Sequence, residues 1–262
     1  MRVITLNVNG IRSAVQKGAF EYLKTMQADV ICLQEIKAKP EQIEGEAFHL
    51  PGYHRYIHSA QKPGYSGVAV YSKILPKAVH SSLGFEVADT EGRYLQLDFN
   101  GLSIVSLYLP SGTSGEARQA LKFAFMAQYE TVLKQQKAMN QEWIIAGDWN
   151  IAHTKMDLKN WQSNQKNSGF LPEERAWLDK LFGEIGFVDA FRVKNQSPGC
   201  YSWWSHRARA YENDVGWRID YHVVTPGLKD KISHVFIDRP AHFSDHAPVV
   251  VDYDITLEGL EV

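Results

Sequence analysis

Four short apolar runs in this chain carry an acidic or amide side chain at one end: VITLN at Asn7, VICLQE at Glu35, WIIAGDWN at Asp148 and Asn150, and FSDHAPVVV with its Asp245-His246 pair. Each run is rich in Val and Ile and bounded by Gly, Asn or Pro. That suits strands buried on both faces better than helices, which need about 10–12 residues. A side chain at the end of such a strand can reach solvent while the strand itself stays rigid. Residues two apart in an extended segment point the same way, so Asp148 and Asn150 are expected to face one site, with Trp149 turned away. The same spacing couples Asn7 with Asn9, although Asn9-Gly10 reads equally well as ordinary turn chemistry. Strand ends that gather oxygen ligands and one imidazole describe metal-assisted phosphoester hydrolysis better than any other common chemistry.

The 262 residues leave two small domains or one large one open. Nothing marks a linker, and apolar runs recur from Val3 to Val251, so one domain spanning 1–262 is expected. A hydrophobic fraction of 44% with 22% charged residues is ordinary for a globular chain. The run after Arg2 meets Asn7 too soon for a signal-peptide core, and no apolar stretch approaches the ~18–20 residues of a membrane span. Cys32, in a core strand, and Cys200, in a loop, give neither a disulfide framework nor metal-ligand spacing, so a reducing cytoplasm is expected. A net charge of -2 argues against a protein that coats nucleic acid. Locally, Arg192, Lys194, Arg207, Arg209 and Arg218 interleave with Tyr201, Trp203, Trp204, Tyr211 and Trp217. Such a stretch can hold phosphates and enclose sugars or bases, and it reads equally as a solvated loop with core aromatics.

A helix is expected from Glu116 to about Met139, with Leu121, Phe125, Tyr129 and Val132 as its stripe and Lys and Gln opposite. A second should run from Pro172 to Ile185, with Pro172 in its first turn and Glu173 and Glu174 near the positive end of the dipole. Trp177, Leu178, Leu181 and Phe182 should face inward. A further helix is expected from about Lys17 to Met26. Tyr94–Phe99 and Leu102–Tyr108, joined by Asn100-Gly101, read as a hairpin and point to mainly antiparallel pairing. Two sheets packed face to face, each covered outside by helices, would bury these runs on both faces.

LNVNGIR (6–12), LQEIK (33–37), GYSGVAVYSK (64–73), LYLPSG (107–112), GDWNIAH (147–153), NQKNSGF (164–170), GWRIDY (216–221) and SDHAPV (244–249) occur in that order. As a set, covering essentially the whole chain, they resemble the exonuclease III family of abasic-site DNA endonucleases, within the endonuclease/exonuclease/phosphatase superfamily. LQE, GDxN and SDH are shared with deoxyribonuclease-I-like enzymes, sphingomyelinases and inositol-phosphate phosphatases. GWRIDY and the Asn-rich NQKNSGF loop separate the repair branch. The pattern departs at Ser111, where several relatives carry Asn. The resemblance implies an α/β four-layer αββα sandwich with its site at one end of the sheets.

Glu35, at the end of a rigid strand, is the expected direct ligand of Mg²⁺, a hard cation that prefers carboxylate oxygen, with Mn²⁺ as a substitute; Asn7 and Asp245 are expected to complete or support the site. Asp148 resembles the family residue that takes a proton from, or orients, the attacking water, and Asn150 would fix that water and a phosphate oxygen. Asp148, Asn150 and His246 are also candidates at a second metal site. Asp220, inside the strand-like run RIDYHVV, needs a partner if it is buried. In the family that partner is the His of SDH, here His246, which would be held in one tautomer and donate to a non-bridging phosphate oxygen. Tyr108 resembles the family tyrosine that contacts the scissile phosphate.

By the same resemblance, Arg12, Lys17, Tyr65, Asn164 and Asn167 match positions that hold the DNA backbone, and Trp203, Trp217 and Ile219 match walls of a pocket for a flipped-out baseless sugar, with Ser168 beside it. The chain is thus expected to be a monomeric Mg²⁺-dependent nuclease with no membrane association. It would cut double-stranded DNA 5′ to abasic sites, leave a 3′-hydroxyl, trim blocked 3′ ends and act as a 3′→5′ exonuclease. The alternatives are a superfamily phosphodiesterase on a non-DNA phosphoester, and a catalytically inactive relative that binds nucleic acid as a regulator.

Overall fold

The computed structural model describes residues 1–257. Its strands are β1 (Arg2–Asn7), β2 (Val30–Gln34), β3 (His54–His58), β4 (Val68–Ser72), β5 (Ala78–His80), β6 (Tyr94–Asp98), β7 (Leu102–Tyr108), β8 (Glu142–Asp148), β9 (Val188–Asp189), β10 (Trp203–Trp204), β11 (Gly216–Trp217), β12 (Asp220–Val224), β13 (Ile232–Ile237) and β14 (Val249–Tyr253). They form a six-stranded sheet ordered β13-β14-β1-β2-β4-β3, a second ordered β5-β6-β7-β8-β12-β9, and a ribbon of β10 and β11. Pairing is antiparallel except for β1 with β2 and β7 with β8. Parallel neighbours need a crossover. Helices α1 (Ile11–Gln16) and α2 (Ala19–Thr25) supply the first, and α4 (Glu116–Ala138), which follows the short α3 (Glu86–Thr90), supplies the second.

The layers follow from strand alternation. Val3, Val30, Cys32 and Val70 of one sheet meet Leu95, Ile104, Ile144 and Val224 of the other in a shared core. Their neighbours along the same strands face outward: Ile4, Leu6, Ile31 and Leu33 pack on Ala14, Phe20 and Leu23. On the far side, Val105, Leu107, Ile145 and Val223 pack on Phe125, Tyr129, Leu133 and Leu178. Both faces of each central strand are therefore apolar, as the continuous Val and Ile runs require. This is the four-layer αββα sandwich expected from the motifs. Near one end the inner layer turns polar, where Thr5 Oγ1 donates to Gln34 Oε1 (3.1 Å), Gln34 Nε2 donates to Ser106 Oγ (3.0 Å), and that hydroxyl donates to the Leu33 carbonyl (3.0 Å).

Three expectations about helices change. The helix expected over 17–26 is α2, which starts after a left-handed Gly18 (φ 89°) that divides it from α1, a helix not expected from the sequence. In α4 the inward face is rotated from the apolar stripe: Lys122 and Gln136 lie buried beside Phe125, Met126, Tyr129 and Leu133. The stretch from 172 to 185 is helical, but α6 (Pro172–Lys180), which follows α5 (Trp161–Asn164), gives way to a π turn over Leu181–Ile185 that a left-handed Gly186 ends. Glu174 in its first turn is fully buried, not a solvated dipole partner. A last helix, α7 (Ala190–Lys194), leads into the loop that carries Cys200.

His222 on β12 is sealed between the sheets. The Val249 carbonyl can only accept, so Nε2 donates to it (3.2 Å) and Nδ1 accepts from the Tyr253 hydroxyl (3.1 Å), which fixes the neutral imidazole. Burial lowers its pKa from 6.5 to about 4. A depressed folded pKa contributes stability that is present above the unfolded value and lost as the pH falls through the folded one. His222 should therefore remove up to about 3 kcal/mol of stability on acidification across that window. Denaturation curves collected between neutral pH and pH ~4 should show a shallower decline for His222→Gln than for the wild type. Parallel declines would assign the acid sensitivity to other groups.

Candidate active site

The parallel register of β1 with β2 sets Asn7 beside Gln34, and Glu35 follows at once. In the second sheet Tyr108 pairs with Asp148, and Asp148 pairs with Asp220 across the antiparallel neighbour. The ends of β1, β2, β7 and β8 and the start of β12 thus meet at one edge of the sandwich. Two of the turns there are strained: Glu35 (φ 49°) and Asn150 (φ 52°) are left-handed without being glycine. For Asn150 this corrects the extended geometry expected of GDWN. The strand ends at Asp148, the Asn150 amide N–H turns back to Asp148 Oδ1 (2.9 Å), and its Nδ2 donates to the Leu109 carbonyl (2.7 Å). Trp149 does face away, fully buried among Tyr129, Trp177 and Tyr221.

Asn7 joins the two sheets at this edge. Its Nδ2 donates to Glu35 Oε1 and to Asp148 Oδ2, both at 2.9 Å, and its Oδ1 accepts from the Asn9 N–H (2.9 Å). Asn9 is both a turn residue, with φ 43°, and a bridge, donating from Nδ2 to Asp245 Oδ1 (3.1 Å) and accepting from Lys37 Nζ (2.5 Å). His246 Nδ1 donates to Asp220 Oδ2 (2.8 Å), and its Nε2 stands 3.8 Å from Asp148 Oδ2. Burial alone would lower the pKa of His246, but the charge and hydrogen bond of Asp220, with Asp148 and Asp245 nearby, raise it, so the imidazolium is favoured. Asp148 moves upward, first because it is buried and then because Asp220 is close. Burial also raises the Tyr108 hydroxyl, and the adjacent Glu35 charge adds to this. Asp245 behaves differently. Burial is outweighed by His246 and by the Trp203 indole N–H donating to Oδ2 (3.0 Å), which together hold its carboxyl low.

A cleft of about 640 Å³ opens over these groups. Glu35, Tyr108, Asp148, Asn150, Asp245 and His246 line one part, and Ser168, Trp203, Trp217 and Ile219, with Asn164 and Asn167, line the other. The β10–β11 ribbon pairs Trp203 with Trp217, whose rings meet edge to face at 6.1 Å. Ser202 binds the ribbon to the reacting groups: its Oγ donates to Asp220 Oδ2 (2.7 Å) and accepts from the Ile219 N–H (3.1 Å). Asn7 lies beneath this cleft, completely buried. Arg12 and Lys17 are exposed on the flank beside Asn9, and Tyr65 is half-buried, its hydroxyl accepting from Arg93 (3.0 Å) and Arg118 (2.8 Å).

The basic and aromatic stretch divides in two. Arg218 is buried between Asp157 (2.8 Å) and Asp189 (2.7 Å), and Arg192 also pairs with Asp157 (2.6 Å), so these cations hold the fold together. Tyr201 and Trp204 are core residues, whereas Arg207 is exposed and lines the cleft. Sequence reasoning missed Ser202 and Lys37. A Ser beside a Trp pair and a Lys two residues after LQE carry no local signal; only the fold brings them in.

The chemistry of the donor set fits a divalent cation. Ligand atoms of Glu35, Asp148 and His246 all lie within 4.8 Å of one another. The second Asp220 oxygen is buried without a hydrogen-bond partner. Buried acids kept this close, with their neighbouring N–H groups already used, are a site that positive charge would relieve.

Strand-end carboxylates, a charged imidazole and an adjoining aromatic cavity on a four-layer sandwich define a metal-dependent phosphoester hydrolase. Comparison with known proteins narrows the class. The chain belongs to the Endonuclease/Exonuclease/phosphatase family, whose sequence model matches residues 4–246. An exodeoxyribonuclease of Bacillus subtilis is 41% identical over 254 residues, covering 95% of this chain and 98% of that protein. A DNA-(apurinic or apyrimidinic site) endonuclease of Dictyostelium discoideum is 35% identical, over 97% of this chain and 71% of its own length. The solved AP endonuclease of Archaeoglobus fulgidus superposes with a TM-score of 0.88 at 27% identity, covering 97% of this chain and 100% of that one. The resemblance to exonuclease III read from the motifs is borne out.

The short Asp220–His246 contact should make the two residues behave as one unit. Asp220→Asn and His246→Asn are each expected to lower phosphodiester cleavage strongly, with the double variant little worse than the weaker single. A double-mutant cycle measures this. Strict additivity would mean that the two act separately.

Proposed function

We propose that this protein is a DNA repair nuclease that hydrolyses the phosphodiester 5′ to an abasic site in double-stranded DNA, leaving a 3′-hydroxyl, with 3′-end trimming and 3′→5′ exonuclease activity. The observation that carries the reading is the continuity of the cleft, in which acids and imidazole adjoin a small aromatic-walled cavity. A duplex with one base missing offers a sugar that can be rotated out with no base to unstack, which is a physical source of selectivity.

Glu35, supported by Asn7 and Asp245, would hold Mg²⁺, with Mn²⁺ a reasonable substitute; a second ion at Asp148, Asn150 and His246 would require His246 to be neutral and is the alternative to its imidazolium role. A bound ion supplies charge for the developing phosphate oxyanion. Asp148, made a stronger proton acceptor when ionised by the burial and the nearby Asp220 that raise its pKa, is placed to orient the attacking water and accept its proton, while Asn150 fixes that water and a phosphate oxygen. The imidazolium of His246, oriented by Asp220, donates to a non-bridging phosphate oxygen, and Tyr108 contacts the same phosphate. Arg12, Lys17, Tyr65, Asn164 and Asn167 would hold backbone on either side of the cleft, setting register without reading sequence. Trp203, Trp217, Ile219 and Ser168 enclose the sugar. The core shared by both sheets supports one domain over 1–262 acting as a monomer, and the two free cysteines support a reducing cytoplasm.

The test is a duplex carrying one abasic-site analogue, incubated with Mg²⁺ and then with EDTA. Cleavage 5′ to the lesion with Mg²⁺ and none with EDTA is expected. Glu35→Ala should lower the rate roughly a hundredfold or more while leaving DNA binding largely intact. Near-normal cleavage by that variant at limiting Mg²⁺ would remove Glu35 from the metal site.

Ser168 tests the cavity. Its Oγ is buried without a partner, against the Gly112 backbone and open to the cleft wall. Ser168→His should fill the space and cut abasic incision by about tenfold or more, with a smaller effect on removal of a 3′-terminal nucleotide or phosphate. Equal losses would indicate general damage, and unchanged incision would place Ser168 outside the sugar site.

A further inference from the structure

Beneath the cleft lies a fully buried ion pair that no step of the chemistry uses. Lys122 of α4 and Glu174 of α6 are both inaccessible to solvent, with Nζ 2.8 Å from Oε1. Their remaining contacts lead to two different parts of the site. Lys122 Nζ donates to the carbonyl of Asn150 (2.8 Å), in the reaction centre. Glu174 Oε2 accepts from the N–H groups of Gly169 (2.7 Å) and Leu171 (3.1 Å), next to Ser168 on the cavity wall, and Oε1 accepts from Gln119 (3.0 Å).

The two segments that the pair holds abut each other. The Ala152 N–H donates to the Gly169 carbonyl (2.8 Å). Gly169 takes φ +94°, and a Cβ there would stand 3.1 Å from the Trp217 ring and 3.3 Å from the Asn150 carbonyl oxygen. Little slack remains between the turn carrying Asn150, the loop carrying Ser168 and the ring that walls the cavity. Stability alone does not call for charge at this place. Replacing both members of a buried ion pair with apolar groups of similar size is often neutral or stabilising, whereas removing one strands the other. What an apolar pair cannot do is hold the Asn150 carbonyl and the Gly169 and Leu171 N–H groups in one fixed arrangement.

We propose that Lys122 and Glu174 are a positioning pair that sets the spacing between the reaction centre and the cavity loop, and so determines how strongly internal abasic sites are preferred over 3′ ends. The proposal rests on the function given above. Neither side chain meets substrate; both act through Asn150 and Gly169. Incision at an internal abasic site needs the sugar seated in the cavity and the phosphate over the acids at once. Removal of a 3′-terminal group depends less on the cavity, so it tolerates a shift of the loop.

Four proteins test this: wild type, Lys122→Met/Glu174→Leu, Lys122→Met/Glu174→Gln and Gly169→Ala. Each is measured for thermal stability, for incision of a duplex with one abasic-site analogue, and for release of a 3′-terminal phosphate. The Met/Leu variant should fold with near-wild-type stability, lose roughly tenfold or more in abasic incision and at most about threefold in 3′-phosphate release. The Met/Gln variant keeps a carbonyl that accepts from Gly169 and should recover part of the incision. Gly169→Ala, which wedges the segments apart while leaving both members of the pair unchanged, should shift the ratio the same way and carries the test if the double variants do not fold.

A stable Met/Leu variant with the wild-type ratio, or with equal losses in both activities, would overturn the positioning role; so would an unchanged ratio in Gly169→Ala. A wild-type protein that releases 3′ phosphate but leaves the abasic duplex intact would overturn the proposed function itself, and the preference assigned to the pair with it.

Discussion

The side-chain amide of Asn7 is the contact on which the rest of the site depends. It donates to Glu35 in its own sheet and to Asp148 in the other, so one buried group fixes the separation of two acids carried by different layers. Directly below, the Thr5–Gln34–Ser106 chain crosses the same interface, and Ser244 Oγ donates to the Asn7 carbonyl from the side (2.7 Å). Buried polar groups are costly when unpaired and specify one arrangement when all are satisfied. The packing of the sheets and the spacing of the acids are therefore one constraint. A strand that slipped by one residue would turn its site side chain to the other face and break the hydrogen bonds between the sheets together.

The same burial that fixes the acids also tunes them. Asp148 is driven toward its neutral form by burial and by Asp220, while the acids around His246 drive it toward its charged form. One proton-rich imidazole amid several carboxylates lowers the repulsion but does not remove it, which leaves the centre receptive to a cation. The left-handed Glu35 and Asn150 add about 1–3 kcal/mol of backbone strain each. Such strain persists only where the surroundings over-determine it. Here the surroundings are two apolar layers on either side of a shared core, and they pack the strands that end at those two residues from both faces.

Much of this was legible because strand ends leave a local signature. An apolar run that stops at Asn7, Glu35 or Asp148 states both the strand and what it delivers; that Asp220 needs a partner followed from its burial, and the family resemblance named His246 as that partner. What escaped was whatever depends on a distant partner. Lys122 looked like the solvated side of α4 because its counter-ion, Glu174, sits on another helix. Arg218 looked like a phosphate holder because Asp157 and Asp189 come from separate segments. Asn150 was expected beside Asp148 from an extended geometry, but it lines the cleft from a left-handed turn, not from a strand. Helix α1 was missed, and a single Gly18 divides it from α2.

The placement of charge reconciles a near-neutral chain with a polyanionic substrate. The net charge is -2, yet the acids at the centre lie deep while Arg12, Lys17, Lys166 and Arg207 are exposed around it. A duplex approaching this face meets the positive rim first, and only a phosphate carried over the cleft meets the acids. On the proposed function, binding would lean on fit as well as on charge. Fit is what the aromatic cavity offers. Its walls at Trp203, Trp217 and Ile219 present rings and an aliphatic edge, which on the proposed function would enclose a sugar whatever base is absent or adjacent. On the proposed function, selectivity for a lesion over a sequence would follow from the same division of labour, with charge at the rim, acids at the floor and shape at the wall.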